Sequence, residues 1–299
     1  EAVVIGFTIG IAIIIATSQI SDFFGLTVSN VPADFIEKLP VLWDARETAS
    51  LAALAIALVT LVLIIVLRKA APKYPGLIVA VGLGSAAVAF MNLPVDTLYS
   101  RFGALPNHLP MPHLPEISWD RLVELLPSAI IIAFLAGVES LLSAMVADRM
   151  IGGHHRPNAE LTAQGAANLA SSLFGGLPAT GAIARTATNV RAGGKTPVAG
   201  IVHALVILLI MLVAAPLAGY LAMPALAALL AMTAWNMSEP HKWGEYARAR
   251  KSDLALMMLT MVLTVLVDLT VAIGVGVAVG LALRLSRRTD ESDWTPREH

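Results

Sequence analysis

Long stretches without a charge alternate with short polar ones along this chain. Apolar runs occupy Ala2–Ile20, Leu51–Leu67, Leu77–Leu93, Leu122–Val146 and Thr196–Ala215. A sixth, Pro216–Trp235, follows with no polar spacer, and Leu254–Val267 and Leu269–Leu285 close the series. Each full-length run is near the roughly 20 residues a helix needs to cross about 30 Å of hydrocarbon. The last pair is short, because 254–285 holds only 32 residues and is interrupted by Asp268. The pattern predicts an all-α polytopic membrane protein.

The pattern fails between the fourth and fifth runs. Leu161–Phe174 is only moderately apolar and contains Gln164 and Asn168, so it makes a poor lipid-facing span. Gly175, Gly176 and Pro178 then end a helix, and Gly181 opens another. Unpaired backbone in lipid costs several kcal/mol per group, so a broken helix survives only when buried in protein or lining a watery cavity. Segment 161–191 is therefore expected as two short helices inside the protein. A short extended stretch near Leu177–Thr180 separates them and precedes half-helix 181–191.

Composition agrees with the pattern. Apolar residues make up 57% of the 299 and charged residues 14%, against about 25% in soluble domains. Net charge is −1, which gives no surface for a polyanion, so no nucleic-acid partner is expected. With no Cys, disulfides, thiolate metal sites and a cysteine nucleophile are excluded among these residues. His154 and His155 share a loop with no third ligand, so no metal site is expected. No HExxH, GxSxG or Walker A pattern occurs, and neither an enzyme nor a cofactor is expected. The chain starts at Glu1 with no visible signal peptide and reads as an internal piece of a longer protein.

Charge placement orients the spans. Arg68, Lys69 and Lys73, then Arg149, His154, His155 and Arg156, then Lys242, Arg248, Arg250 and Lys251, and finally Arg284, Arg287 and Arg288 are placed in the cytoplasm. The acidic loop 21–47 and the Pro-rich stretch 94–119 suit the outer side. Segment 240–252 reads as a short surface helix, with Trp243 and Tyr246 at headgroup level.

Two intramembrane charges carry the candidate chemistry. A half-helix beginning near Gly181 presents free N–H groups and a partial positive charge, which together make an anion-binding end. Arg185 lies one turn further in, and Thr180 and Thr186 add hydroxyls. The alternative is a re-entrant loop whose Arg185 snorkels to headgroups. Glu139, 17 residues past Leu122, sits roughly 26 Å along its helix. A carboxylate there must be paired, hydrated or protonated. Ser143 follows on the same face, which suits a proton or small cation; the alternative is permanent neutralisation by a partner such as Arg185. His203 and Asp268 read as packing and capping residues, and GVGVAVG at 274–280 as a small-residue packing face.

The segments AGVESLLSAMVADRM, GLPATGAIARTATN and AWNMSE resemble the SulP anion transporter family, and the likeness covers residues 2–285. Among its members the chain looks most similar to bacterial proton-coupled C4-dicarboxylate transporters. The resemblance implies a partial seven-plus-seven inverted-repeat fold that begins at segment five. Residues 1–93 would be gate segments five to seven and 94–121 an outer loop. Residues 122–215 would be core segments eight to eleven, 216–285 gate segments twelve to fourteen, and 286–299 a cytoplasmic tail. Segments one to four and the STAS domain fall outside the sequence.

The resemblance also implies roles. The substrate anion meets Thr180, Gly181, Ala182, Ile183 and Arg185, while Glu139 and Ser143 serve a coupling proton or sodium ion. The implied activity is secondary transport of a small anion, by proton symport of a C4-dicarboxylate such as fumarate or succinate. Sulfate or bicarbonate transport, coupled or by exchange, stands as the alternative, and an anion-binding channel or scaffold as the rival of another class. A homodimer in the inner membrane is implied as well.

Overall fold

The computed structural model describes residues 2–28, 31–32, 34–71, 75–240, 243–248, 250–267, 275–276, 278–280 and 282. Among them the helices are α1 (Ala2–Ser18), α2 (Ile20–Phe24), α3 (Phe35–Asp44), α4 (Leu51–Ala70), α5 (Gly76–Met91), α6 (Leu98–Phe102), α7 (Trp119–Ile151), α8 (Pro157–Leu173), α9 (Ile183–Arg191), α10 (Val198–Ala218), α11 (Met223–Met237), α12 (Trp243–Ala247) and α13 (Lys251–Leu266), with a 3-10 turn at Ala45–Thr48. No strand forms among the described residues; Thr97 and Ala222 make one isolated bridge. Among the described residues, four stretches are long and apolar enough to cross a membrane: Ile5–Phe24, Leu51–Ala70, Trp119–Ile151 and Val198–Ala218. Helices α5 and α11 are shorter apolar helices. The expected span 269–285 lies outside the described residues except for a few positions. Asp268, Lys73, Lys242 and the 286–299 tail lie outside them entirely.

The chain divides into two compact units, one formed by residues 1–101 with 220–299 and the other by 102–219. In the first, α4, α5 and α11 close around Ile56, Val81, Val88, Ala222 and Ala225. The loop after α5 is tied to the head of α11: Met223 N–H donates to Asp96 C=O (2.8 Å), and Leu98 N–H donates to Leu221 C=O (2.9 Å). Arg101 bridges Asp22 at 2.5 Å and Asp96 at 3.0 Å. Burial alone would lower the Arg101 pKa, but its bonds and charge contacts with the two aspartates outweigh that and hold it above the ordinary value. Lys38, within the acidic stretch 21–47 expected on the outer side, turns inward. It is 5% exposed and its Nζ donates to Ser18 Oγ at 3.0 Å, at the C-terminal end of α1 where the helix dipole favours a cation.

Small residues set the helix spacing here. Gly276, in the predicted packing face, lies against Val3 and Thr260. Thr260 and Thr264 satisfy their hydroxyls on carbonyls one turn back, at 2.8 and 2.7 Å. Thr60 does not, and its Oγ1 is buried without a partner among the described residues. That oxygen fills the space a Cβ on Gly84 would need. Gly84→Ala should therefore destabilise the protein by about 1–3 kcal/mol through overpacking. Adding Thr60→Ala should restore most of the loss, because the obstacle is one unpaired side-chain atom. Thermal melting of the purified single and double variants checks both, and a double variant no better than the single would refute the account.

One predicted boundary moves. Pro216 does not start the next span but lies inside α10, which runs on to Ala218. Its missing N–H removes one bond in the final turn, where the loss is small. The chain turns after Ala218, and α11 begins only at Met223. Beyond α11, the Trp243 indole donates to Ser238 C=O at 2.8 Å and packs edge-on against Trp235 at 5.5 Å.

Candidate functional site

The second unit holds every residue predicted to touch the anion or the coupling ion. Its frame is α7, 33 residues long and so about 50 Å. Ser118 caps it by accepting the Arg121 N–H, and Gly152, at φ 72°, ends it. Its midpoint falls at Leu135, so Glu139 lies about 6 Å beyond along the axis. At the far end Asp148 accepts from the His155 backbone at 2.9 Å and pairs with its Nδ1 at 2.7 Å, which fixes the turn into α8.

Helix α8 stops at Leu173 and α9 starts at Ile183, with no regular structure between. Gly175 takes the left-handed conformation (φ 68°) that lets the chain leave α8. Side chains of α8 satisfy the stretch that follows. Asn168 Oδ1 accepts the Ala179 N–H at 2.7 Å, and Asn168 Nδ2 donates to the Ala179 C=O at 2.9 Å. Gln164 Nε2 donates to that same carbonyl. Ser171 Oγ donates to the Leu177 C=O at 3.2 Å.

A second set of bonds ties the stretch to α7. Thr180 Oγ1 donates to the Ala136 C=O at 2.8 Å, which commits its single proton. Ser140 Oγ, 3.1 Å away, must then donate to Thr180 Oγ1. The Gly181 N–H donates to Ser140 Oγ at 3.1 Å. The result is a one-way chain from Gly181 through Ser140 and Thr180 to Ala136. Two groups expected to meet the anion, the Thr180 hydroxyl and the Gly181 N–H, are thus engaged with α7.

The donors that the helix itself leaves unpaired lie one residue further on. The first bond of α9 runs from the Thr186 N–H to the Ala182 C=O at 2.9 Å. The N–H groups of Ala182, Ile183, Ala184 and Arg185 therefore have no acceptor within the helix. Arg185 carries an exposed side chain in this first turn.

Glu139 and Ser143 lie on α7 beside this head. At 100° per residue, Glu139, Ser143 and Ser140 span an arc of about 100°. Glu139 is half-buried, and Arg185 is close enough for its charge to act on it, yet no ion pair within 4 Å joins them. Permanent neutralisation by Arg185 is therefore not what the geometry displays. Ser143 Oγ is buried with no hydrogen-bond partner among the described residues. A Cβ on Gly181 would lie 3.1 Å from Ser140 Cα and 3.3 Å from Ser143 Oγ, so only glycine lets α9 start this close to α7.

Sequence reasoning missed three contributors. Ser140 was visible only as a neighbour of Glu139. Gln164 and Asn168 read as defects in a lipid-facing helix, though their i, i+4 spacing puts both amides on one face. His203 is exposed on α10 and takes part in none of these bonds.

The sequence profile of the Sulfate permease family matches residues 1–260. "Putative sulfate transporter YvdB" of Bacillus subtilis (strain 168) is 42% identical over 261 residues, covering 87% of this chain and 49% of that protein. "Bicarbonate transporter BicA" of Synechocystis sp. is 32% identical over 248 residues, covering 83% and 43%. The chain thus spans about half the length of the curated relatives it matches. Among solved structures, the transmembrane domain of a cyanobacterium bicarbonate transporter BicA superposes with a TM-score of 0.79 at 31% identity, covering 91% of this chain and 68% of that one. Murine Slc26a9, an anion transporter solved in the inward-facing state, shares the fold with a TM-score of 0.81 at 22% identity, covering 96% and 48%.

Proposed function

The chain belongs to the sulfate permease family, and from that premise we propose that it forms part of a secondary active transporter of a small inorganic anion, sulfate or bicarbonate. It is a multi-pass membrane protein of an anion transporter family, and its relatives are transporters rather than enzymes. The names of those relatives favour sulfate and bicarbonate over the C4-dicarboxylate that the family resemblance implied. The unit 102–219 takes the part of the core, and 1–101 with 220–299 that of the gate. Alternating access carries the anion across the inner membrane, and the protein works as a homodimer.

One observation carries this reading: four backbone donors without helical acceptors open the head of α9 beside Arg185. Such an end attracts an anion by its dipole and holds it by its N–H groups. Glu139 and the unpartnered Ser143 hydroxyl supply oxygens for a coupling proton or sodium ion. The test is uptake of labelled sulfate, bicarbonate and fumarate by the full-length protein in proteoliposomes, with and without a pH gradient and sodium. Saturable uptake that follows one gradient supports coupled transport. Anion current without saturation or coupling means a channel, and fumarate uptake alone restores the dicarboxylate reading.

Arg185→Ala should raise the anion KM about tenfold or more. A hydrogen bond to a charged group contributes about 1.5–3 kcal/mol, and each 1.4 kcal/mol is tenfold. Initial-rate uptake across anion concentrations measures it. An unchanged KM for all three anions would make Arg185 structural.

A further inference from the structure

We infer that Asn168, seconded by Gln164, is the positioning residue that sets where the anion-facing head of α9 stands. This rests on the transport reading for its functional consequence, while the positioning itself rests on geometry alone.

Asn168 treats Ala179 as a neighbouring strand would. Its Oδ1 accepts the Ala179 N–H at 2.7 Å while its Nδ2 donates to the Ala179 C=O at 2.9 Å. Only one orientation of the amide satisfies both bonds. The second Nδ2 proton goes to the Gln164 C=O at 3.0 Å, which holds the amide to its own helix. Gln164 Nε2 adds a second donor on the Ala179 carbonyl, so both of its lone pairs are used. Every polar group on the Ala179 backbone is thus closed by side chains of one helix.

The stakes follow from where Ala179 sits. It stands three residues before Ala182, the first residue to accept an α9 helical bond. Between them the chain makes no helical bonds of its own, so its course is fixed from outside. Two anchors do this: Asn168 and Gln164 grip Ala179 from α8, and Ser140 grips Gly181 from α7 at 3.1 Å. Remove the α8 anchor and the Ala179 N–H and C=O lose the side-chain partners that tie them to α8, so nothing from that helix fixes the path of the stretch. The head of α9 is then held from one side only. Asn is among the poorer helix formers, yet it stands mid-helix in α8, where its amide serves the neighbouring stretch as well as its own helix. Asn168 acts on the anion only through α9.

The experiment uses the full-length protein in proteoliposomes. These 299 residues contain no Cys. A single Ala182→Cys thiol therefore reports the head of α9, once any cysteine elsewhere in the protein is replaced by serine. The readouts are the labelling rate of that thiol by a charged methanethiosulfonate, and the KM and maximal rate of sulfate and bicarbonate uptake. Asn168→Leu should change the labelling rate at least fivefold and raise KM at least fivefold, with a smaller change in maximal rate. Gln164→Leu, which removes one of two donors on one carbonyl, should move both readouts the same way by less. A purely structural role predicts less active protein with KM and labelling unchanged. An unchanged labelling rate in Asn168→Leu overturns the inference whatever uptake does, and if that variant fails to fold, Gln164→Leu decides by the same measurement. If the wild-type protein takes up neither anion, the transport reading fails while the labelling comparison still decides the positioning.

Discussion

Glu139→Gln should abolish anion uptake driven by a pH gradient while leaving anion binding, at a pH low enough to protonate Glu139 in the wild type, within about threefold of wild type. The substitution keeps the shape and a hydrogen-bonding head and removes only the titration. The position makes the carboxyl sensitive to its surroundings: it is half-buried, about 6 Å from the middle of a membrane-spanning helix, and forms no ion pair with Arg185 within 4 Å. Arg185 is nonetheless close enough to act on its charge. When Glu139 is ionised, it partly cancels the field that Arg185 offers an anion. When it takes a proton, that field is released to the head of α9. Anion affinity should therefore rise as pH falls through the titration of Glu139, and the rise is the coupling. In the Gln variant the field is released permanently, so affinity should no longer depend on pH. Binding of labelled anion to purified protein across pH, beside uptake with an imposed gradient, checks both halves. Undiminished gradient-driven uptake by Glu139→Gln would falsify the role.

Much of the fold is legible because lipid leaves a chain few options. The apolar runs at 51–67 and 122–146 lie within α4 and α7, which extend them by a few residues at their ends. The break between α8 and α9 follows from Gly175, Gly176 and Pro178, residues whose backbone preferences act locally. What escapes is the pairing between distant segments. Ser140 and Gly181 are 41 residues apart, and only the folded chain shows that one satisfies the other. For the same reason Thr180 reads as an anion contact although its hydroxyl is engaged with Ala136. Pro216 misleads in the other direction: a residue that breaks helices in mid-run is harmless in the last turn of α10. Lys38 falls in the acidic stretch 21–47, and sequence does not reveal that its ammonium reaches Ser18 at the end of α1.

Gly181→Val should reduce uptake to below about a hundredth of wild type at equal amounts of folded protein. The argument is about which atoms stand in the way. A Cβ at this position meets Ser140 Cα at 3.1 Å before it meets Ser143 Cβ and Oγ, both at 3.3 Å. The first obstacle is backbone in the middle of α7 and cannot rotate aside, so α9 must move. Overpacking of this kind costs about 1–3 kcal/mol. The larger loss is positional, since displacements of about 1 Å can cost a hundredfold where reacting or binding groups must meet in register. The Gly181 N–H leaves Ser140, the one-way chain of hydroxyls to Ala136 opens, and the donors of 182–185 shift together. Gly181→Ala should lie between valine and wild type. Ser143→Gly should fail to rescue it, because the backbone contact with Ser140 remains. The first unit offers the contrast: at Gly84 the blocking atom belongs to the Thr60 side chain, and trimming that side chain should restore the fold. Uptake per folded protein for Gly181→Ala, Gly181→Val and Gly181→Ala with Ser143→Gly separates the two cases. Wild-type rates in Gly181→Val would mean that α9 does not need to start against α7 for the protein to work.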